Sequence, residues 1–352
     1  MLRVLILTPT AFPSLTGNAI TAERWRRSHE KQGLTVKVAA AQYLDAENLS
    51  KEIQDFRPDI IHGHHAFKTG KLLVTHHDTA ASNGIPFVIS CAGTDINHDL
   101  ALHEKKKTIL EVFRTARATI TQSKDIALKL KDQPNGFHNR VMYVPKSLMW
   151  LGNTSFDLRE AAGCEPHHIL FFLPAGIRPV KGNIECLMAV NEVHKLRPSI
   201  KVVFAGPVID PEYASLFLQM LKQHSDFACR IPAIPPEAMC TAYRGADVVL
   251  NTSFSEGFSN VLLEAMASIK PILASDIRSN RLAVCGKNGD QPCGCIFDPY
   301  NREDFVKQAL KLIDDTGLRK SLGQAGLTRA EQWSKPDDEA VRLIEIYKHA
   351  LA

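Results

Sequence analysis

The chain has 352 residues, 45% of them hydrophobic and 23% charged, with a formal net charge of +4. These are the proportions of a globular protein long enough for two domains of ordinary size; the charge is too small and too evenly spread to argue for nucleic acid, and no apolar run approaches a membrane span. The eight cysteines, in a chain that enters its first strand at once (Leu2 to Leu7), lead to an expectation of reduced thiols in a cytoplasm rather than a disulfide framework.

Residues 2 to 8 (LRVLILT) are near-continuously apolar, the pattern of a parallel strand buried on both faces. They empty into a turn-rich stretch, PTAFPSLTGNAIT, and then a helix expected from near Ala19. Gly17-Asn18 at that junction suits either a left-handed turn or close backbone approach to a ligand. The helix ends at Gly33 and TVKVAAA gives the second strand. No G-x-G-x-x-G follows the first strand, which disfavours a nicotinamide dinucleotide.

RPDIIHGHHAFKTG supplies another strand, ending in His62, His64 and His65, with His76 and His77 beyond. The cluster lacks a Cys or carboxylate set at zinc spacing, so no metal is expected there. IPFVISCAGTDINHD is a strand running into a polar loop that carries Thr94 and Asp95. HEKKKTILEVFRTAR reads as a helix whose Lys105 to Lys107 face solvent, with a membrane-surface patch as the competing reading. Two more strands, ATITQS and VMYVPKSL, flank a helix near Lys124 to Lys131, and a domain boundary is expected within about 148 to 166.

HILFFLPAGIRPVKGNIE opens a second domain with a strand, a loop and a helix. Arg178 and Lys181 lie in that loop at a carboxyl strand end, where two cations can neutralise a diphosphate. KVVFAG gives the next strand and the Gly206-Pro207 turn. The most informative stretch is GADVVLNTSFSEGFSNVLLEAMASIKPILASDIR: a strand (Val248 to Leu250), a polar turn, a helix and a strand (Pro271 to Ser275), which is a βαβ unit. Its turn holds Glu256, Gly257, Phe258, Ser259 and Asn260, whose amides at a helix N-terminus favour an anion. Glu264 follows Glu256 by eight residues, and a carboxylate there can accept hydrogen bonds from sugar hydroxyls. Cys285, Cys293 and Cys295 lack a local fourth ligand, so the segment CGKNGDQPCGCIFD is expected to be a glycine-rich loop leading to a strand. The remainder is expected to be helical.

SEGFSNVLLEAMASIKPILAS resembles the E-x7-E segment of the retaining glycosyltransferases with the GT-B fold, of the group 1 type. The resemblance implies an α/β chain of two Rossmann-like, doubly wound parallel-sheet domains facing across a cleft. Residues 1–160 would form the acceptor side and 161–335 the nucleotide-sugar side, with a helix at 336–352 packing back on the first domain. It implies that Glu264 binds the nucleotide ribose, Glu256 faces the transferred sugar, Arg178 and Lys181 clamp the diphosphate, and Gly206 lies beside the base. Gly17-Asn18 would meet the donor phosphates, together with the backbone of Gly257, Phe258, Ser259 and Asn260, while His64, Thr94 and Asp95 would line the acceptor side. The implied donor is a nucleoside-diphosphate sugar, with UDP favoured, and its partner a small-molecule acceptor.

Without a D-x-D motif between strands, no metal ion or other cofactor is expected. Two departures from the family pattern stand out: Arg178 and Lys181 are spaced more closely than the commoner Arg-x4-Lys, and Cys91-Ala92-Gly93-Thr94-Asp95 stands where many members carry a sugar-contacting histidine. TGNAITAERWRR and AGTDINHD resemble a small subgroup that includes bacterial selenosugar synthases, so a selenium or sulfur acceptor is an alternative. A non-catalytic nucleotide-sugar binder and an epimerase on the same fold are the others. The acceptor, the sugar and the oligomeric state are not written in the sequence.

Overall fold

The computed structural model describes residues 1–77, 84–132, 140–286, 290–333, 335 and 337–352, with only the backbone of His76 and His77. The chain divides into two compact units, Met1–Met149 with Ser334–Ala352, and Trp150–Trp333. Residues 150–160 go with the second unit: Thr154 N–H donates to the Glu237 carbonyl at 2.9 Å, and Leu158 is fully buried beside Gly245.

The first unit runs β1 (Arg3–Thr8), α1 (Gly17–Lys31), β2 (Thr35–Ala40), α2 (Ala46–Phe56), β3 (Ile60–His64), α3 (Gly70–His77), β4 (Phe87–Ser90), α4 (Thr94–Asn97), α5 (His103–Thr115), β5 (Thr119–Thr121), α6 (Lys124–Lys131) and β6 (Val141–Tyr143). The strands form a parallel sheet in the order β2-β1-β3-β4-β5-β6. Val4 to Leu7 of β1 are wholly buried, as a strand covered by helices on both faces must be. Helix α1 starts two residues before the expected Ala19. Thr16 takes the N-cap and accepts from the Ala19 N–H, so Gly17 and Asn18 lie inside the first turn rather than in a left-handed junction. A side chain at 17 would meet nothing within 4 Å, so neither backbone angle nor packing demands glycine there.

The second unit runs α7 (Leu158–Ala161), β7 (Ile169–Pro174), α8 (Asn183–Leu196), β8 (Ile200–Ala205), α9 (Pro211–Lys222), β9 (Ala228–Ile231), α10 (Met239–Gly245), β10 (Val248–Asn251), α11 (Asn260–Ala267), β11 (Ile272–Ser275), α12 (Arg278–Cys285), β12 (Gly294–Phe297), α13 (Arg302–Asp314) and α14 (Thr316–Trp333). Its parallel sheet has the order β12-β11-β10-β7-β8-β9. Strand succession reverses between β7 and β10, and ligands of open parallel sheets bind in the crevice at such a point. Residues 287–289 of the expected glycine-rich loop lie outside the described residues.

The last helix, α15 (Asp338–Leu351), belongs to the first unit. It buries Leu343 and Tyr347 against Val4, Ile6, Trp25 and Ile60. Polar contacts fix its place: Trp25 Nε1 donates to Glu339 Oε1 at 2.6 Å, and the Tyr347 hydroxyl bridges His62 Nδ1 at 2.6 Å and His29 Nε2 at 3.1 Å.

Candidate active site

Two loops meet at the carboxyl ends of β7 and β10. The first, Arg178 to Gly182, needs glycine at its last position twice over. Gly182 has φ +63°, and a Cβ there would lie 2.5 Å from the Thr252 carbonyl oxygen. The second loop closes onto the first through Thr252 Oγ1, which donates to the Lys181 carbonyl at 2.7 Å, and Phe254 N–H, which donates to Val180 at 2.9 Å. Asn183 Oδ1 accepts from the Arg178 N–H at 3.2 Å and braces the turn.

This zipping sets Lys181 Nζ against Glu256 Oε1, with both side chains under one-fifth exposed (18% and 13%). Ser253 Oγ donates to the same carboxylate oxygen at 2.7 Å. Burial pushes the Glu256 carboxyl up. The Lys181 ammonium, the Ser253 hydroxyl and the charge of Arg178 together outweigh it and hold the group below the ordinary glutamate value. Beside it, Arg178 Nε and Asn183 Nδ2 are buried N–H donors with no hydrogen-bond partner among the described residues.

A buried polar ladder supports the Glu256 loop from behind. Asn251 Nδ2 donates to Ser259 Oγ at 2.9 Å, Asn280 Nδ2 reaches Asn251 Oδ1 at 3.2 Å and the Ser275 carbonyl at 3.1 Å, and Ser275 Oγ donates to the Ser253 carbonyl at 2.5 Å. Asn251, Ser275 and Asn280 were not singled out in the sequence. Asn251 carried a signal, a polar residue closing the apolar strand VVLN, whereas Asn280 lies in the outwardly polar run RSNR and carried none.

Glu264 sits one turn into α11, half-buried, and accepts from the Tyr243 hydroxyl at 2.8 Å. Burial and then the neighbouring Glu264 carboxylate push the Tyr243 phenol well above its ordinary value, so it stays a donor. Tyr243 is wholly buried, with the Phe172 ring edge-on at 5.4 Å and Trp150 at 5.9 Å. The Phe258 ring is tilted against Trp333, with centroids 4.8 Å apart. Ser259 occupies the N-cap of α11 without capping it, because its hydroxyl is engaged with Asn251. Gly206 is held by close backbone approach: a Cβ would fall 2.1 Å from the Ala175 carbonyl oxygen, and its own carbonyl accepts from Arg230 at 3.0 Å.

Of the residues selected from sequence, Arg178, Lys181 and Glu256 are thus brought together, with Gly257 to Asn260 continuing the same loop and Glu264 on the helix it opens. Gly17, Asn18, His64, Thr94 and Asp95 belong to the first unit. There His64 ends β3, 5% exposed, its ring tilted on Trp25 at 4.9 Å. Thr94 Oγ1 lies 3.3 Å from His65 Nε2. Asp95, expected on the acceptor side, has a structural part in its own loop. It is fully buried, and its carboxylate accepts from the N–H groups of Ala66 (2.7 Å), Gly93 (2.8 Å), Ala92 and Ile96 (both 3.1 Å), so it shapes the loop.

All eight cysteines are free thiols; Cys293 packs its sulfur on the Ala283 and Val284 carbonyls. Among the described residues no cluster of three or more His, Cys, Asp or Glu is arranged to hold a metal ion, and no helix is long and apolar enough to cross a membrane.

Residues 158–329 match the profile of the glycosyl transferases group 1, and residues 2–123 that of the glycosyl transferase 4-like family. The chain is 26% identical over 319 residues to a glycosyltransferase 1 domain-containing protein 1 of Xenopus tropicalis, covering 87% of each. It is 27% identical over 197 residues to a D-inositol 3-phosphate glycosyltransferase of Segniliparus rotundus, spanning 55% of this chain and 42% of that one. Sucrose-phosphate synthase from Thermosynechococcus elongatus superposes with a TM-score of 0.81 at 14% identity over 99% of both chains. Anabaena HepE in complex with UDP-glucose does so with a TM-score of 0.79 at 16% identity over 99% of this chain and 100% of that one. The chain belongs to the group 1 glycosyltransferases and has their GT-B fold.

Proposed function

We propose that the chain moves a sugar from a nucleoside-diphosphate donor, UDP-linked by preference, to a small acceptor with retention of anomeric configuration. The observation that carries the reading is the meeting of Arg178, Lys181 and Glu256 where strand succession reverses between β7 and β10. In this reading the diphosphate competes with Glu256 for the Lys181 ammonium and completes the unmade Arg178 Nε–H bond. The backbone N–H groups at the uncapped start of α11 add positive potential. As the glycosidic bond breaks, charge grows on the leaving diphosphate, and these fixed donors stabilise it more than the ground state. Glu256, relieved of Lys181, turns to the hydroxyls of the sugar, and Glu264, oriented by Tyr243, accepts from the ribose. The two cations take the place of a divalent ion, and the reaction is assigned to the cytoplasm.

The test is a mass-spectrometric screen of nucleotide sugars with the purified protein and a small-molecule extract. Consumption of one donor with a glycosylated product supports the reading. Donor binding without consumption favours a non-catalytic binder, free sugar or its epimer an epimerase, and a product carrying sulfur or selenium identifies the acceptor class.

A further inference from the structure

Arg230 is a charged residue on the apolar face of β9, and it has no charged partner. In the parallel register of β8 and β9 it lies beside Phe204, so the two side chains leave the sheet on the same face. Phe204 is wholly buried there, edge-on to Phe217 of α9 at 5.0 Å. A guanidinium cannot end in that layer, and it reaches instead for the carboxyl edge of the sheet. There Nη2 donates to the Gly206 carbonyl at 3.0 Å, the one polar partner of the group among the described residues. Nε is buried with no hydrogen-bond partner among them. A buried N–H of this kind asks for a ligand or water.

The neighbouring loops decide which ligand. The loop leaving β8 is zipped to the loop leaving β7: Ile177 N–H donates to the Pro207 carbonyl at 2.9 Å, and the N–H groups of Ile209 and Asp210 donate to the Ile177 carbonyl at 3.2 Å. Arg178 follows Ile177 directly. Arg178, the Gly206-Pro207 turn and Arg230 thus stand on three neighbouring strand ends, β7, β8 and β9. Two strand spacings are roughly 10 Å, within reach of a ribose and a base beyond a diphosphate held at Arg178. The shelf between them is apolar, with Val208 and Ile209 exposed on it and Ile209 Cδ1 lying over Gly176, 2.5 Å from where a Cβ would fall. It has little main chain left to donate, since Pro207 has no N–H and those of Ile209 and Asp210 are used by Ile177. An unmade N–H beside a flat apolar surface complements an acceptor on the rim of a heteroaromatic ring, a ring carbonyl. A second phosphate is a poorer match, because Arg178 and Lys181 already meet the diphosphate charge. Uracil carries a carbonyl at ring position 4 where cytosine carries an amino group, so a fixed N–H satisfies the first and opposes the second.

We propose that Arg230 reads the base of the donor nucleotide, donating to the position-4 carbonyl of a uracil and rejecting the amino group of a cytosine. This makes it a specificity-determining residue, and the assignment rests on the reading of the β7–β10 reversal point as the donor site.

The experiment titrates UDP and CDP by calorimetry into the full wild-type chain, Arg230→Met and Arg230→Lys. The wild type should bind UDP about tenfold or more tightly than CDP, the scale of one hydrogen bond to a charged group. Arg230→Met fills the same apolar lane without a donor. It should weaken UDP by about tenfold and leave CDP within about twofold, which erases the preference. Arg230→Lys keeps the charge without the planar fork and should retain only part of the preference; it serves as the test if the methionine variant does not fold. Thermal unfolding checks the fold of each. Equal wild-type affinities for UDP and CDP would overturn the proposal without any variant. So would a UDP preference left intact in both variants. Equal losses of UDP and CDP would overturn it too, as the mark of an arginine that only holds the Gly206 loop. A wild-type chain that binds neither nucleotide would overturn the donor-site reading, and this proposal with it.

Discussion

Lys181 and Glu256, 75 residues apart in sequence, form an ion pair in which the lysine ammonium donates to one carboxylate oxygen that also accepts from Ser253. The pair exists because two loops from neighbouring parallel strands are zipped by main-chain and hydroxyl bonds, so both charges arrive at one place already oriented. Preorganised charge of this kind is what transition-state stabilisation requires.

Lys181→Ala should therefore lower kcat by about 10²-fold, the scale of losing one preorganised donor, while raising KM less. Steady-state kinetics beside donor affinity check it. A rise in KM with kcat untouched would remove Lys181 from the group acting on the leaving diphosphate.

Tyr243→Phe keeps the ring contacts to Phe172 and Trp150 and deletes only the hydroxyl bonded to Glu264. With the carboxylate less well oriented, donor affinity should fall by roughly 3- to 10-fold, about 0.7–1.4 kcal/mol, with kcat nearly unchanged. Calorimetry of UDP with the variant measures this. An unaltered Kd would mean that Tyr243 serves packing alone.

Catalysis should survive excess EDTA, because Arg178 and Lys181 supply the positive charge a diphosphate needs. Assaying turnover before and after chelation, then after adding Mg²⁺ or Mn²⁺, tests this. Abolition by EDTA with recovery on adding the metal would show that the two side chains do not suffice.

Acid should loosen the first unit. Burial holds His29 to about 4, against a weaker opposing backbone bond at Trp25, while burial and then the charge of His29 hold His62 to about 3, from an ordinary 6.5. Between those values the unfolded chain binds more protons than the folded one, so stability rises with pH. The full contribution is present above 6.5, and it is lost on acidification at up to about 1.4 kcal/mol per pH unit for each histidine. Protection factors of amides in β3 and α15, with the intrinsic pH dependence of exchange divided out, should fall between pH 7 and 5, and less so in a His29→Gln, His62→Gln double variant. Protection factors that stay constant over that range would contradict it.

Much of this was legible in the sequence because the chemistry was local. The apolar runs of β1, β7 and β10 announce buried parallel strands, and Glu256 and Glu264 sit one loop and one helical turn apart, so their spacing survives folding intact. The start of α1 was misplaced by two residues because Thr16, and not the first apolar position, sets the cap. That four main-chain N–H groups converge on Asp95 is something no local pattern in the sequence shows. The pairing of Lys181 with Glu256, the Tyr243 bond to Glu264 and the Asn251–Asn280 ladder join residues from separate elements, and only the order of strands in the sheet brings them together.

The central claim, that the β7–β10 reversal point is the donor nucleotide site, is tested most directly by calorimetric titration of UDP into the wild-type chain and Glu264→Ala. Saturable binding to the wild type is expected, weakened in the variant by about 2–3 kcal/mol, the scale of hydrogen bonds to a charged group, with thermal unfolding little changed. UDP affinity identical in the two proteins, or no UDP binding to the wild type, would contradict the assignment.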